Sequence, residues 1–262
     1  MSGVGSRGLS GLAVALVLLA ALGGCATTTG SSGAAPADAG PATNPVDPWE
    51  RWNRAVYAFN DRLDRAVVKP VATAYRDFVP SPVRTGVGNF FGNLFDSWSA
   101  VNHLLQGKPA SGLAMGMRFL TNTILGIGGV LDPASEMAGL ERQSEDFGQT
   151  LGRWGVGPGP YVVLPLFGPS TLRDAVALPV DLRATPTPLR EDVDRVAAAG
   201  LRLVDTRAGL LSASRLLEEI SLDPYSFLRS AYLARRRNLV YDGDPPELPE
   251  PAEPAEPAQT PK

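Results

Sequence analysis

From Trp52 onward the chain spaces its apolar residues three and four apart, at Trp52, Val56, Phe59, Leu63 and Val67, with Arg54, Asp61, Arg62, Asp64 and Arg65 between them. That period predicts an amphipathic helix, and Pro70 is expected to end it because proline lacks an amide to donate and crowds the preceding turn. A second helix is expected after Ser81-Pro82, a serine cap with proline at the first helical position. It should run through Phe90, Phe91, Leu94, Phe95, Trp98 and Val101 to about Leu105, with Gly107 stopping it. Further helices are expected over 191–211, over 212–220, and from Asp223-Pro224 through Tyr225, Leu228, Tyr232 and Leu239. Only Tyr161-Val162-Val163-Leu164 looks extended, and its Gly/Pro-rich setting points to an irregular loop instead. The fold class read from these patterns is all-α.

The stretch from Leu113 to Leu131, LAMGMRFLTNTILGIGGVL, departs from the amphipathic pattern and carries one charge, Arg118. On a helix Arg118, Thr121 and Asn122 fall on one narrow stripe, while Met115, Met117, Phe119, Leu120, Ile124 and Ile127 cover the rest. A helix apolar nearly all round is buried in protein or faces lipid, and its polar stripe then needs partners or water. Two readings stay open. One is a core helix whose Arg118 meets an acid. The other is a helix lying in a bilayer with Arg118, Thr121 and Asn122 turned toward a hydrophilic interior, as channel or lipid-contact residues. Gly126, Gly128 and Gly129 around Ile127 then permit a tight, flexible apolar turn.

The first 24 residues read as a signal peptide. Arg7 gives a cationic start and Leu9 to Leu22 is charge-free; as a helix it would span about 21 Å, short of a roughly 30 Å hydrocarbon core. The run ends in Leu22-Gly23-Gly24-Cys25, similar to the lipobox of bacterial lipoproteins, which makes Cys25 the expected acylated first residue of the mature chain. Residues 25–46 then form an acylated cysteine and flexible tether, 47–241 the helical domain, and 242–262 a Pro/Ala/Glu tail too polar to fold.

Composition narrows the chemistry. Cys25 and His103 are the only cysteine and histidine in 262 residues, so no Cys/His metal site, disulfide or thiol catalysis is expected, and no cofactor. A net charge of −3 makes nucleic acid a poor partner. Glu136, Glu141, Glu145 and Asp146 lie in a loop region where acids are ordinarily solvated. His103 reads as a packed or partner-facing side chain, and no G-x-S-x-G elbow accompanies it. The chain is not expected to be an enzyme. Arg235, Arg236 and Arg237 close the last helix, where they complement its dipole and solvate it or meet headgroups. Trp49, Trp52, Trp98 and Trp154 suit either a core or an interfacial girdle.

Several motifs then occur in order: Asn53-Arg54 with Tyr57 and Phe59-Asn60; Lys69-Pro70-Val71-Ala72; Tyr75-Arg76-Asp77-Phe78-Val79-Pro80; Asn89-Phe90; Gly92-Asn93-Leu94; Leu105-Gln106-Gly107; Arg118-Phe119 and Asn122-Thr123-Ile124-Leu125-Gly126; Phe147 to Gly152 with Gly155-Val156-Gly157; Gly159-Pro160-Tyr161 with Leu164-Pro165; Thr171-Leu172-Arg173-Asp174; and Asp223-Pro224-Tyr225 with Arg229 and Ala231-Tyr232. Behind a lipobox, this series resembles the MlaA/VacJ phospholipid-transport lipoproteins of Gram-negative outer membranes. The proline-rich stretch 178–190 does not align with that pattern. The resemblance implies a ring-like bundle of amphipathic helices embedded in one membrane leaflet around a central polar channel. It implies removal of misplaced phospholipids from the outer leaflet, delivery to a periplasmic phospholipid carrier protein, and association with a trimeric outer-membrane porin. A scaffold that only braces porins, and a lipid or cell-wall hydrolase, are the competing functions.

Overall fold

The computed structural model describes residues 44–187 and 191–247; Cys25, the signal peptide, nearly all of the tether and most of the tail lie outside them. Helix α1 (Glu50–Leu63) passes without a break through a π-helical turn (Asp64–Val68) into α2 (Lys69–Phe78). Pro70 therefore does not end the helical run. The Lys69 amide reaches back to the Asp64 carbonyl, and this wider turn accommodates the pyrrolidine ring at the start of α2. Helix α3 (Ser81–Leu105) covers the expected span, but Pro80 occupies the cap position and Ser81 is already helical, with no side-chain cap bond. Gly107, at φ +76°, turns the chain into α4 (Pro109–Ile124), which packs along α3 as a helical hairpin.

Two short helices follow. Asp132 caps α5 (Pro133–Ala138) and Asp146 caps α6 (Phe147–Arg153), each side chain accepting from the amide three residues on. The segment read as an irregular loop is instead strand β1 (Tyr161–Leu164), paired antiparallel with β2 (Gly168–Thr171), Tyr161 opposite Thr171 and Leu164 opposite Gly168. Its other edge is tied off by α1. Asn53 donates to the Tyr161 carbonyl (3.0 Å) and accepts from the Val163 amide (2.8 Å). Asn60 repeats the arrangement with Leu164 (3.0 Å) and Leu166 (2.9 Å). Two asparagines two helical turns apart thus stand in for a third strand.

Thr171 caps α7 (Leu172–Ala184), which carries Pro179 inside it. Residues expected as two helices form one, α8 (Asp192–Ile220): the Ser214 hydroxyl bonds back to the Leu211 carbonyl, so the serines after Leu211 do not interrupt the helix. Helix α9 (Pro224–Val240) completes the fold. A small aromatic cluster joins its start to α1 and β1, with Tyr225 edge-on to Tyr57 and Tyr161 at 5.7 and 6.2 Å. Beside it Asp47, at the beginning of the described chain, accepts from Asn53 (2.8 Å), Tyr225 (2.5 Å) and Arg229 (2.6 Å), which fastens the first residues to the last helix.

The distribution of polarity is inverted. Asn93, Asp96, Ser99, Asn102 and His103 of α3, and Arg118 and Asn122 of α4, are buried. Leu113, Met117, Leu120, Ile124, Leu125 and Ile127 of the same hairpin are exposed, Ile124 to 74%. Wide contiguous apolar surfaces are rare on proteins that face water. Among the described residues no helix is long and apolar enough to cross a membrane.

Candidate functional site

The α3–α4 hairpin turns its polar stripe inward. Asp96 of α3 lies between two guanidiniums, with Arg118 Nε and Arg142 Nε each 2.9 Å from one of its oxygens. Arg118 also donates to the Ser135 hydroxyl (2.6 Å), the Leu140 carbonyl and the Asp132 carboxylate. Asn122 donates to Asp132 (2.8 Å) and accepts from the Ala134 amide (2.9 Å). Arg118 thus meets acids, as the core-helix reading had it, and both side chains are 1% exposed. They clamp the start of α5 rather than face open water; Thr121, beside them, is half-buried. Met115, assigned by helical period to the apolar surface, is buried with them at 1% because the hairpin covers it. Although burial works against ionisation, the bonds from Arg118, Asn122 and Ser135 hold the Asp132 carboxyl below the ordinary aspartate value.

Between α4 and α5 the chain makes its tight turn. Gly128 and Gly129 have φ of +68° and +94°, and Ile127 adopts +54°, a region costly for a branched side chain. A Cβ on Gly126 would lie 2.4 Å from the Asn122 carbonyl oxygen, and one on Gly129 2.5 Å from the Asn93 amide. The turn therefore needs glycine at both places, while its Leu125, Ile127 and Leu131 side chains point outward.

From Arg142, the second partner of Asp96, a run of polar cavities begins. The largest, about 670 Å³, is lined by His103, Lys108, Ser111, Arg142, Glu145, Gln149, Arg153 and Asp242 among others. It shares Ser144, Gln149 and Leu239 with a cavity of about 220 Å³ that adds Phe95, Asp146, Tyr232, Arg235 and Arg236. That one shares Asp146, Tyr232 and Arg236 with a third of about 180 Å³ against β2 and α7. The buried Gln149 carbonyl oxygen and His103 Nδ1 have no partner among the described residues; both residues line these walls.

This wall corrects two expectations. Glu145 and Asp146 are not solvated loop acids: Glu145 is 4% exposed and accepts from Gln106 (2.8 Å) and Lys108 (3.3 Å), while Asp146 pairs with Arg236 at 2.5 and 2.6 Å. Glu136 and Glu141 are exposed as expected. Arg236 does not merely solvate a helix end, since its Nε also lies 2.8 Å from Asp174, and these two acids raise its pKa. Arg235 lines the cavity and Arg237 bonds outward to the Pro246 carbonyl. His103 is packed, its Nε2 3.2 Å from the Gln143 carbonyl oxygen. Trp49, Trp52 and Trp154 are exposed, whereas Trp98 is half-buried and donates to Asp181 (2.7 Å). The sequence does not single out Lys108 or Arg142, and it carries Gln149 and Tyr232 only as parts of helix and motif patterns with no role at a site. Their positions carry no spacing signal, because the wall is assembled from three separate segments.

An apolar exterior over an ion-paired interior marks the described residues as a helical, membrane-associated protein. Residues 45–239 match the MlaA lipoprotein family, and the chain belongs to that family. A relative in Shigella flexneri, the intermembrane phospholipid transport system lipoprotein MlaA, is 42% identical over 205 residues, covering 76% of this chain and 80% of its own. The Haemophilus influenzae protein of the same name is 33% identical over 234 residues, covering 87% and 90%. A solved structure described as "Structural basis for maintenance of bacterial outer membrane lipid asymmetry" superposes with a TM-score of 0.66 at 40% identity, covering 74% of this chain and 98% of the other.

Proposed function

We propose that this chain is the outer-membrane lipoprotein of an intermembrane phospholipid transport system. It removes misplaced phospholipids from the outer leaflet, passes them through its polar interior to a periplasmic phospholipid carrier, and so maintains lipid asymmetry. The inverted polarity carries this reading. A phospholipid headgroup left in hydrocarbon without partners is strongly unfavourable, and a passage walled by Gln149, Arg235 and Lys108 lowers that barrier while the tails stay in lipid. Helix α4, 16 residues and about 24 Å long, is shorter than a hydrocarbon core, so its exposed leucines suit a protein held within one leaflet by acylated Cys25. Arg118 and Asn122 brace the hairpin behind that wall, with Thr121 half-buried beside them. The turn at Gly126, Gly128 and Gly129 forms a lip that yields. A trimeric porin covers part of the apolar exterior. The cavities distinguish this reading from a porin-bracing scaffold, which needs no hollow.

The test is clearance of outer-leaflet phospholipid in cells that carry the chain as their sole copy. Ser144→Trp fills the point where the two larger cavities meet and should fold normally yet leave phospholipid in the outer leaflet. Full clearance by both Ser144→Trp and Leu239→Trp would overturn passage through this interior.

A further inference from the structure

A cavity of different character lies along the seam of α3 and α8. It holds about 510 Å³, within the range of ligand sites, and every residue lining it is apolar, among them Val83, Val87, Phe90, Phe91, Val130 and Leu201. Gly86 forms part of its floor, where a Cβ would press within 2.9 Å of Val130. One turn beyond Phe91 on α3 stands Phe95, which belongs to the polar cavity of Tyr232, Arg235 and Arg236. Over the Phe95 ring, 5.5 Å from its centroid, lies the guanidinium of Arg202, the chain neighbour of Leu201. Arg202 therefore packs on the α3 ring that borders the polar cavity and follows in sequence a residue that lines the groove. Neighbouring arginines hold acids, Arg207 with Asp64 and Arg236 with Asp146 and Asp174. Arg202 is exposed and rests on an aromatic face instead, with no ion pair to a carboxylate among the described residues.

We propose that the α3–α8 groove and Arg202 together bind one phosphoglyceride, with an acyl chain in the groove and its phosphate on the Arg202 guanidinium. The proposal rests on the transport reading above and adds a holding site at the edge of the polar passage. Charge complementarity selects the occupant. An all-carbon trough beside a cation that has no acid partner among the described residues matches an amphiphile whose tail adjoins a phosphate, and a planar guanidinium can hold two phosphate oxygens at once. An apolar peptide would leave the cation unanswered.

The experiment uses the full-length, lipidated protein purified in detergent, with native mass spectrometry of the phospholipid retained per chain. Wild type should keep one phosphoglyceride. Arg202→Gln, which removes the charge, and Ala198→Trp, which fills the groove from α8, should each cut retention about tenfold or more, and Arg202→Lys should restore part of it. Arg202 is exposed and Ala198 is half-buried, so unchanged thermal midpoints are expected alongside. Retention equal to wild type in both Arg202→Gln and Ala198→Trp overturns the groove. Clearance of outer-leaflet phospholipid by the same variants then shows whether transport itself stands. A wild type that neither retains nor clears lipid overturns both.

Discussion

Arg118 of α4 and Asp132, which caps α5, are joined across the glycine turn, the arginine Nη2 donating to Oδ2 of the aspartate. One pair thus fixes where the turn starts and where it ends. Replacing Arg118 with Met should cost about 3–5 kcal/mol, because the buried Asp96 is left with Arg142 alone and Asp132 loses its guanidinium. Asn122→Leu should cost about 1–3 kcal/mol, since the Ala134 amide is left unanswered and Asp132 Oδ1 keeps only the longer bond from the Ser135 amide. Denaturant midpoints of the purified protein check both. An Asn122→Leu midpoint equal to wild type would mean that water reaches the stripe and takes over these bonds.

The turn's glycines should separate by mechanism. A Cβ at Gly128 would meet nothing within 4 Å and suffer only an unfavourable φ, so Gly128→Ala should cost about 1–2 kcal/mol. Gly129→Ala adds a collision with Asn93, which would have to leave Thr123, 2.9 Å away, and should cost more. Thermal midpoints of the two variants in lipid nanodiscs provide the comparison. Gly128→Val, by stiffening the lip, should slow phospholipid clearance beyond its effect on stability; equal losses would make the glycines structural only.

Glu145 gives a pH signature. Burial raises its carboxyl above the ordinary glutamate value of 4.5, against the bonds from Gln106 and Lys108. A raised acid favours folding while protonated and loses that contribution as pH climbs through its folded-state value. Glu145→Gln keeps an acceptor for Gln106 without the charge. The variant's stability relative to wild type should therefore grow as pH rises from about 4.5 toward neutrality. A difference that stays flat over that window would show that Lys108 fully offsets the buried charge.

Anchoring should depend on the single cysteine. Cys25→Ser removes the acylation site, so normal lipoprotein processing and outer-membrane placement should both fail. Mass spectrometry of the mature N-terminus reads this directly. A wild-type chain that starts elsewhere, or carries an unmodified Cys25, would contradict the assignment.

The sequence by itself determined most of the helices, since an apolar period and a proline or glycine at an end are local properties of the backbone. It also put Arg118 and Asn122 on one stripe, while the acylation expected at Cys25 falls outside the described residues. Contacts between distant segments decided the rest. Tyr161–Leu164 became a strand because Asn53 and Asn60, a hundred residues away, satisfy its free edge. Pro70 and the serines after Leu211 failed to stop their helices because a wider turn and a hydroxyl back-bond absorbed the disruption. Arg118 found Asp96 and Asp132, acids that the core-helix reading required but could not name, and Arg236, read as solvating a helix end, found Asp146 and Asp174 in the interior. Periodicity says which residues share a face of a helix, but what that face meets is set by side chains remote in sequence, and only the folded chain brings those together.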